Sequence, residues 1–349
     1  MRLPDEVKKC VVFIGRKELD SKTHLENIVY GGTGFFVGVP TQVLGAPILY
    51  LVTAAHVAKK INDCQFCIRA NTKAGKSKIY WIDAGVDLQW WYHPTDPTVD
   101  VAVLEWAPPP EVDYRYIPEP MFLYPATMDI KGIGVGDDVF ITGLFSFVAG
   151  VEKNLPVVRT GNLAMVPSER VPSKKWHKDG LEAYLIESRS IGGLSGSPVF
   201  VQRSIKVQAA EESGRTPLAA GAMFWLGLIH GHWDVDRQQV DGIWNDAWSE
   251  DKTSQINTGI AITVPCHKIL EVVNCPGLAW KREEAIQNFE RKHQAILDSV
   301  SAPSVAKENE EEAIRLMTSE SALVEALSGS DSAPILDADL GADDSSSWD

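Results

Sequence analysis

The sequence predicts an all-β protein, on three observations. Short apolar runs separated by turn signals recur from Val11 to Val264, no stretch of helical periodicity interrupts them, and a proline cluster at Pro108-Pro109-Pro110 breaks the series near its middle. Strands at such spacing indicate a sandwich or barrel rather than alternating β-α units. The proline break, followed by Tyr114-Arg115-Tyr116-Ile117-Pro118, reads as the connection between two barrels, the first over about residues 7–118 and the second over 119–277.

In chain order the first barrel draws on Val11–Ile14, Thr33–Val39, Ile48–Val52, Phe66–Ala70 and Val101–Trp106. The second draws on Val139–Gly143, Ala183–Ile186, Val199–Gln202, Phe224–Ile229 and Gly259–Val264. Gly132-Ile133-Gly134-Val135-Gly136 resembles a phosphate-binding loop only superficially, because a strand follows it where such a loop needs a helix N-terminus, so it is expected to be a turn. The polar stretch from Gln202 to Pro217 is expected to be a surface loop. His267–Val273 predicts a short closing helix. Residues 281–300 predict an amphipathic helix with Ala285, Phe289, His293 and Ile296 on one face. From Pro303 to Asp349 there are twelve acidic and two basic residues, so this tail carries −10 of the net −14. Its composition predicts disorder, except for a helix around Glu310–Leu327, and a role either as a solubilising tail or as a docking segment for a regulatory partner.

The acidic balance argues against nucleic acid or an anionic membrane as partner. The N-terminal residues are charged where a secretory signal needs about 7–15 apolar ones, and no stretch reaches a membrane span, so a cytoplasmic protein is expected. Five cysteines, Cys10, Cys64, Cys67, Cys266 and Cys275, fit reduced thiols better than a disulfide framework. Cys64-Gln65-Phe66-Cys67 has no second Cys pair or spaced His pair to complete a zinc site, so both thiols are assigned to a strand edge and no metal or cofactor is expected.

The chemistry gathers at Gly192-Gly193-Leu194-Ser195-Gly196-Ser197-Pro198-Val199-Phe200. A serine attacks a carbonyl only if its backbone and neighbouring N–H groups come within about 3 Å of the substrate, and glycines clear that approach. Upstream, Thr53-Ala54-Ala55-His56-Val57 ends one apolar run and Asp100-Val101-Ala102-Val103-Leu104 begins another, giving the order His, Asp, Ser. Asp87 and Asp96 lie near Asp100, but neither leads the Val-Ala-Val-Leu run.

Together with Gly32-Thr33-Gly34-Phe35-Phe36-Val37, these segments resemble the chymotrypsin-like, or trypsin-superfamily, serine proteases. Gly136–Gly143 and Thr258–Pro265 resemble strands of the bacterial HtrA-like branch, and Ser-Gly-Ser-Pro-Val-Phe resembles the nucleophile motif of glutamyl endopeptidases. The similarity covers residues 7–277. It implies two six-stranded antiparallel barrels, a catalytic triad of His56, Asp100 and Ser195, an oxyanion hole from the N–H groups of Gly193 and Ser195, and a protein or peptide substrate. The family's pocket positions are occupied here by Arg189, Ser190, His230, Gly231 and His232, a cationic set that implies preference for acidic residues on the acyl side of the cut. Trypsin-like zymogens carry Asp before the nucleophile to pair with a new N-terminus. This chain has Leu194, so that ion pair cannot form. The competing expectations are a latent or inactive protease-fold binding module and, less well matched, an esterase, whose nucleophile elbow would need a following helix.

Overall fold

The computed structural model describes residues 3–19, 24–41, 45–83, 88–145, 148–173, 177–188, 194–204, 222–236 and 255–301. The expected helix at Glu310–Leu327, the rest of the 303–349 tail and most of the Gln202–Pro217 insertion lie outside them. The described chain is mostly β-structure, with a seven-stranded antiparallel sheet in the first half and a closed six-stranded barrel in the second.

The first sheet is built from β1 (Val11–Leu19), β2 (Glu26–Val39), β3 (Ile48–Thr53), β4 (Gln65–Asn71), β5 (Ser77–Asp83), β6 (Trp90–Tyr92) and β7 (Ala102–Leu104), in the order β5-β4-β1-β2-β3-β7-β6. β3 is buried along its whole length, as a continuous apolar run at a sheet centre should be. β1 and β2 run on past the core as a ribbon, and the register slips between Ile14 and Gly15. A Cβ at Gly15 would stand 2.8 Å from both the Tyr30 ring and the Val29 carbonyl, so glycine permits the bulge.

This sheet corrects the expectation of a six-stranded first barrel. It has a seventh strand, and its outermost strands β5 and β6 are not hydrogen-bonded to each other among the described residues. The physical reason is the length of β6 and β7, three residues each, which is too short to carry the ladder around to the other edge. Side chains fill the gap instead: the Phe66 and Trp90 rings, on β4 and β6, lie 5.7 Å apart.

The second half comprises β8 (Asp138–Leu144), β9 (Pro156–Met165), β10 (Val171–Ser173), β11 (His177–Leu181), β12 (Tyr184–Glu187), β13 (Pro198–Gln202), β14 (Met223–Asp236) and β15 (Gln255–Pro265). β10 and β11 form a separate hairpin, and the remaining six close as β12-β15-β14-β13-β8-β9. The glycine-rich stretch before β8 is a turn: Gly132 and Gly136 take φ of 64° and 97°, ending a one-turn helix at Met128–Lys131.

Helix α1 (Ala55–Ala58) follows β3 directly, and α2 (Cys266–Val273) closes the barrel where the closing helix was expected. The long helix α3 begins at Pro276 and runs to Ser301. Its packed face is Leu278, Arg282, Ile286 and Phe289, whereas Ala285 and His293 are exposed, which corrects the expected face. The cause is the earlier start. Gly277 sits so close to Trp91 that a Cβ would fall 2.3 Å from its ring, and Arg282 donates to the Tyr50 hydroxyl at 2.9 Å, so the first turns fix the helix's rotation. No described helix is long and apolar enough to cross a membrane. All five cysteines are free; Cys67 is buried on β4 and Cys64 is exposed just before it.

The two halves share a core. Trp225 is fully buried on β14, with its ring 5.7 Å from Phe35 of the first sheet and 5.2 Å from Phe122 of the connection, and its indole N–H donates to the Gly227 carbonyl at 2.8 Å. Removing so large a ring leaves a cavity that neither half can close. Trp225→Ala is therefore expected to lower stability by about 3–5 kcal/mol, read as a fall in the urea midpoint at unchanged slope.

Candidate active site

Register brings the site residues together. β3 and β7 are antiparallel with Thr53 opposite Ala102, so the end of β3, which leads through Ala54 into His56, adjoins the start of β7, which Asp100 precedes by two residues. The His56 backbone N–H donates to Asp100 Oδ1 at 2.8 Å, and His56 Nδ1 lies 2.7 Å from Oδ2. Asp100 is 9% exposed while the His56 side chain is 38% exposed, so the carboxylate lies behind the ring and the ring reaches solvent.

Ser195 enters from the barrel, at the turn before β13. Its carbonyl accepts the Thr33 N–H at 3.0 Å, and the next residue's N–H, from Gly196, donates to the Ile229 carbonyl at 2.9 Å. The turn is thereby fastened on one side to β2 and on the other to β14. Gly196 has φ of +82°, and a Cβ there would stand 2.3 Å from the Thr33 carbonyl and 3.1 Å from Ala54 N, two residues before His56. A side chain at this position would collide with β2 and with the end of β3 that leads into α1. Gly32 is as constrained: its Cβ would meet Val57 at 2.7 Å and the Ser195 carbonyl at 3.2 Å. Leu194 is buried in the barrel core at 1% exposure, which anchors the turn from below.

A third ring completes the cluster. His230 Nδ1 lies 2.6 Å from Asp100 Oδ2, the oxygen that His56 also uses, and the two imidazoles stand nearly perpendicular at 6.0 Å. Sequence reading put His230 with the pocket; the structure puts it on the carboxylate. Burial alone would raise the Asp100 pKa, but hydrogen bonds from His230 and then His56, with attraction to both rings when charged, hold it well below the usual carboxylate range. One ligand atom from each of the three residues lies within 4.8 Å of the others, and two imidazoles with a carboxylate are a donor set that transition metals also use. The Nδ1 to Oδ2 separations are those of N–H···O bonds.

The loop that carries Asp100 is clamped from the second half. Asp96 takes the Thr98 N–H and hydroxyl at 2.9 and 2.6 Å on one oxygen and Arg170 at 3.0 Å on the other, and Arg170 also donates to the Thr98 hydroxyl and to the carbonyls of Asp179 and Gly180 at the β10–β11 hairpin. Partial burial opposes ionisation of Asp96, yet the Thr98 and Arg170 bonds outweigh it and lower its pKa to about 2. Sequence reasoning missed this clamp and the role of His230. The signal for His230 was its position in His230-Gly231-His232, directly after the apolar Phe224–Ile229 run. Gly231 and His232 continue β14, with His232 opposite Ala261. Arg189, Ser190, Gly192 and Gly193, and Asp87, lie outside the described residues.

No protein-family model matches the sequence, and no curated protein matches it. Among solved structures, the chain is similar to the apo protease domain of MamO from Magnetospirillum magneticum, at 15% identity over 77% of this chain and 97% of that one, with a TM-score of 0.41. It is also similar to Deg5, at 16% identity over 56% and 75% of the two chains with a TM-score of 0.34. The inactive form of the Rv3671c protease, from M. tuberculosis, matches at 15% identity over 76% and 88%, with a TM-score of 0.39. At these scores the likeness does not decide what this chain does.

The cluster has a pH signature of its own. A carboxylate whose pKa is depressed by folding adds stability that is fully present above its unfolded value, about 4, and is lost as pH falls toward the folded value. Asp100→Asn is therefore expected to be less stable than the parent near neutral pH, and the gap between their urea midpoints is expected to shrink steadily below about pH 4.

Proposed function

We propose that the protein is a serine endopeptidase of the chymotrypsin-like class. What supports the reading is one juxtaposition: a partly exposed imidazole bonded at Nδ1 to a buried, ionised aspartate, and a serine turn tied to β2, whose neighbour β3 leads into α1 and that imidazole. In this reading Ser195 attacks the peptide carbonyl, and His56, its Nδ1–H held by Asp100, accepts the serine proton at Nε2 and later gives it to the leaving amine. Asp100 keeps the tautomer and stabilises the imidazolium. The N–H groups of Ser195 and Gly193 are assigned to the oxyanion hole. The substrate class is a protein or peptide.

The acidic preference inferred from the pocket positions is narrowed by the geometry, because His230 is engaged by Asp100. It rests instead on Arg189 and His232. Enrichment of Glu or Asp on the acyl side of cuts in a peptide library is the expected result, and uniform cleavage after apolar residues would remove the preference while leaving the endopeptidase reading in place.

Covalent labelling tests the nucleophile directly. A fluorophosphonate probe is expected to label the parent at Ser195 and to label neither Ser195→Ala nor His56→Ala, with peptide turnover falling by about 10⁶-fold in Ser195→Ala. Undiminished labelling of Ser195→Ala would sink the assignment.

A further inference from the structure

The loop between β6 and β7 delivers Asp100, and anchors outside it fix its course. At its start His93, whose side chain is 3% exposed, accepts the Asp96 N–H at Nδ1 at 2.9 Å, and its Nε2 lies 2.7 Å from Glu271 Oε2 on α2. At its end Asp100 takes the His56 backbone N–H at 2.8 Å. Between those points, the hydrogen bonds that reach the loop from elsewhere among the described residues come from Arg170.

Arg170 stands at the mouth of the β10–β11 hairpin, one residue before β10. Nε and Nη2, on one edge of its guanidinium, donate to the successive carbonyls of Asp179 and Gly180 at 3.0 Å each. Nη1 donates to Asp96 Oδ2 at 3.0 Å, and Nη2 also donates to the Thr98 hydroxyl at 2.6 Å, which in turn donates to Asp96 Oδ1 at 2.6 Å. One rigid plane therefore joins two carbonyls of the hairpin to two side chains of the loop. Gly180 permits the approach. Its φ is +73°, and a Cβ there would stand 2.7 Å from the Val171 carbonyl and 3.3 Å from the Arg170 Cβ.

We propose that Arg170 is a positioning residue for Asp100, holding it at His56 through Asp96 and Thr98. The proposal rests on reading Ser195, His56 and Asp100 as a triad. Only Val99 separates the clamped Thr98 from Asp100, and it is 7% exposed, with its N–H donating to the Asp96 carbonyl at 3.2 Å. The step from clamp to carboxylate is thus a closed, packed turn. The Arg170 and Asp96 side chains are 38% and 20% exposed, and ion pairs that reach water add little to stability. Placement is another matter, since a shift of about 1 Å in a catalytic group costs about 100-fold in rate. Lysine at position 170 would keep the charge for Asp96, but a single ammonium cannot span the four acceptors that the fork spans.

The test compares the full chain with Arg170→Lys, Arg170→Ala, Asp96→Ala and the double variant Arg170→Ala/Asp96→Ala. A fluorophosphonate probe reports on the triad without engaging an extended substrate. Its rate of labelling at Ser195 is expected to fall by about 10-fold to 100-fold in each single variant, lysine included, with urea midpoints close to the parent's. Because both residues act through one clamp, the double variant should be no slower than the slower single one. Amide hydrogen exchange gives a second readout: the His56 N–H, which Asp100 holds, should exchange about tenfold faster in each variant, while the amides of β1 and β13 keep the parent's rates. Parent-like labelling and His56 exchange in Arg170→Ala would overturn the proposal, and so would losses that add in the double variant. Faster exchange throughout β1 and β13 would also overturn it, by making Arg170 a general stabilising residue. A parent that does not label would instead strike the triad reading, and exchange at His56 would still decide whether Arg170 holds Asp100 in place.

Discussion

Thr33 is the seam on which the site depends. Its N–H donates to the Ser195 carbonyl at 3.0 Å, its carbonyl accepts the Thr53 hydroxyl at 2.7 Å, and its own hydroxyl oxygen accepts the Leu144 N–H at 3.0 Å. One fully buried residue thus joins β2, β3, β8 and the serine turn. Each bond lies away from water, where an unmet donor or acceptor costs about 1–3 kcal/mol, so none can be given up cheaply. Glycines on both sides make this possible. A Cβ at Gly34 would stand 2.9 Å from Ile14 and Leu51, as one at Gly32 would from Val57 and the Ser195 carbonyl at 2.7 and 3.2 Å. The first half can therefore present α1, and with it His56, against a turn that belongs to the second.

The electrostatics follow from that closure. Asp100 is enclosed, and an enclosed carboxylate stays ionised only if its oxygens are satisfied. Three donors do so: one from backbone and two from rings. The backbone bond matters as much as the ring bonds, because it ties the carboxylate to the α1 backbone and so sets the distance from which the ring can be reached. The Arg170 clamp on Asp96 and Thr98 holds the same loop from the other end. The loop is thereby bound to α1 near its C-terminal end and to the β10–β11 hairpin near its start, leaving Asp100 little freedom to follow the ring if it moves.

How much of this was legible in the sequence depends on burial. Strands buried on both faces, such as β3 and β13, announce themselves as unbroken apolar runs. β5 and β9 were not read at all, because β5 is an edge strand and β9 is largely half-exposed, so polar residues interleave along both. β6 is only three residues long. The extensions of β1 and β2 beyond the core, and of β14 through Asp236, were missed for the same reason. His56, Asp100 and Ser195 were legible because each ends or begins a buried run. The second ring on Asp100 was not, since the pairing of His230 with a residue 130 positions away is set by how β14 lies against the turn at Gly196, a tertiary fact without a local signature. The face of α3 was misread because its rotation is fixed by Gly277 against Trp91, before the periodic stretch begins.

Leu194 ties these constraints to the state of the site. In a zymogen-type arrangement an aspartate here would need a cationic partner before the turn could settle. The leucine needs none: it is buried in the same barrel core as Ile141 and Val199, a burial worth about 1.5–3 kcal/mol that does not vary with pH. Gly143 on β8 makes the room, since a Cβ there would stand 2.8 Å from Leu194 and 2.1 Å from the Ser197 hydroxyl. The serine turn is thus held by an apolar anchor below, the Thr33 bond on one side and the Ile229 bond on the other, and none of the three titrates. The scaffold that presents Ser195 is therefore set by packing and backbone bonds, while the charge beside it is fixed by the three donors that keep Asp100 ionised.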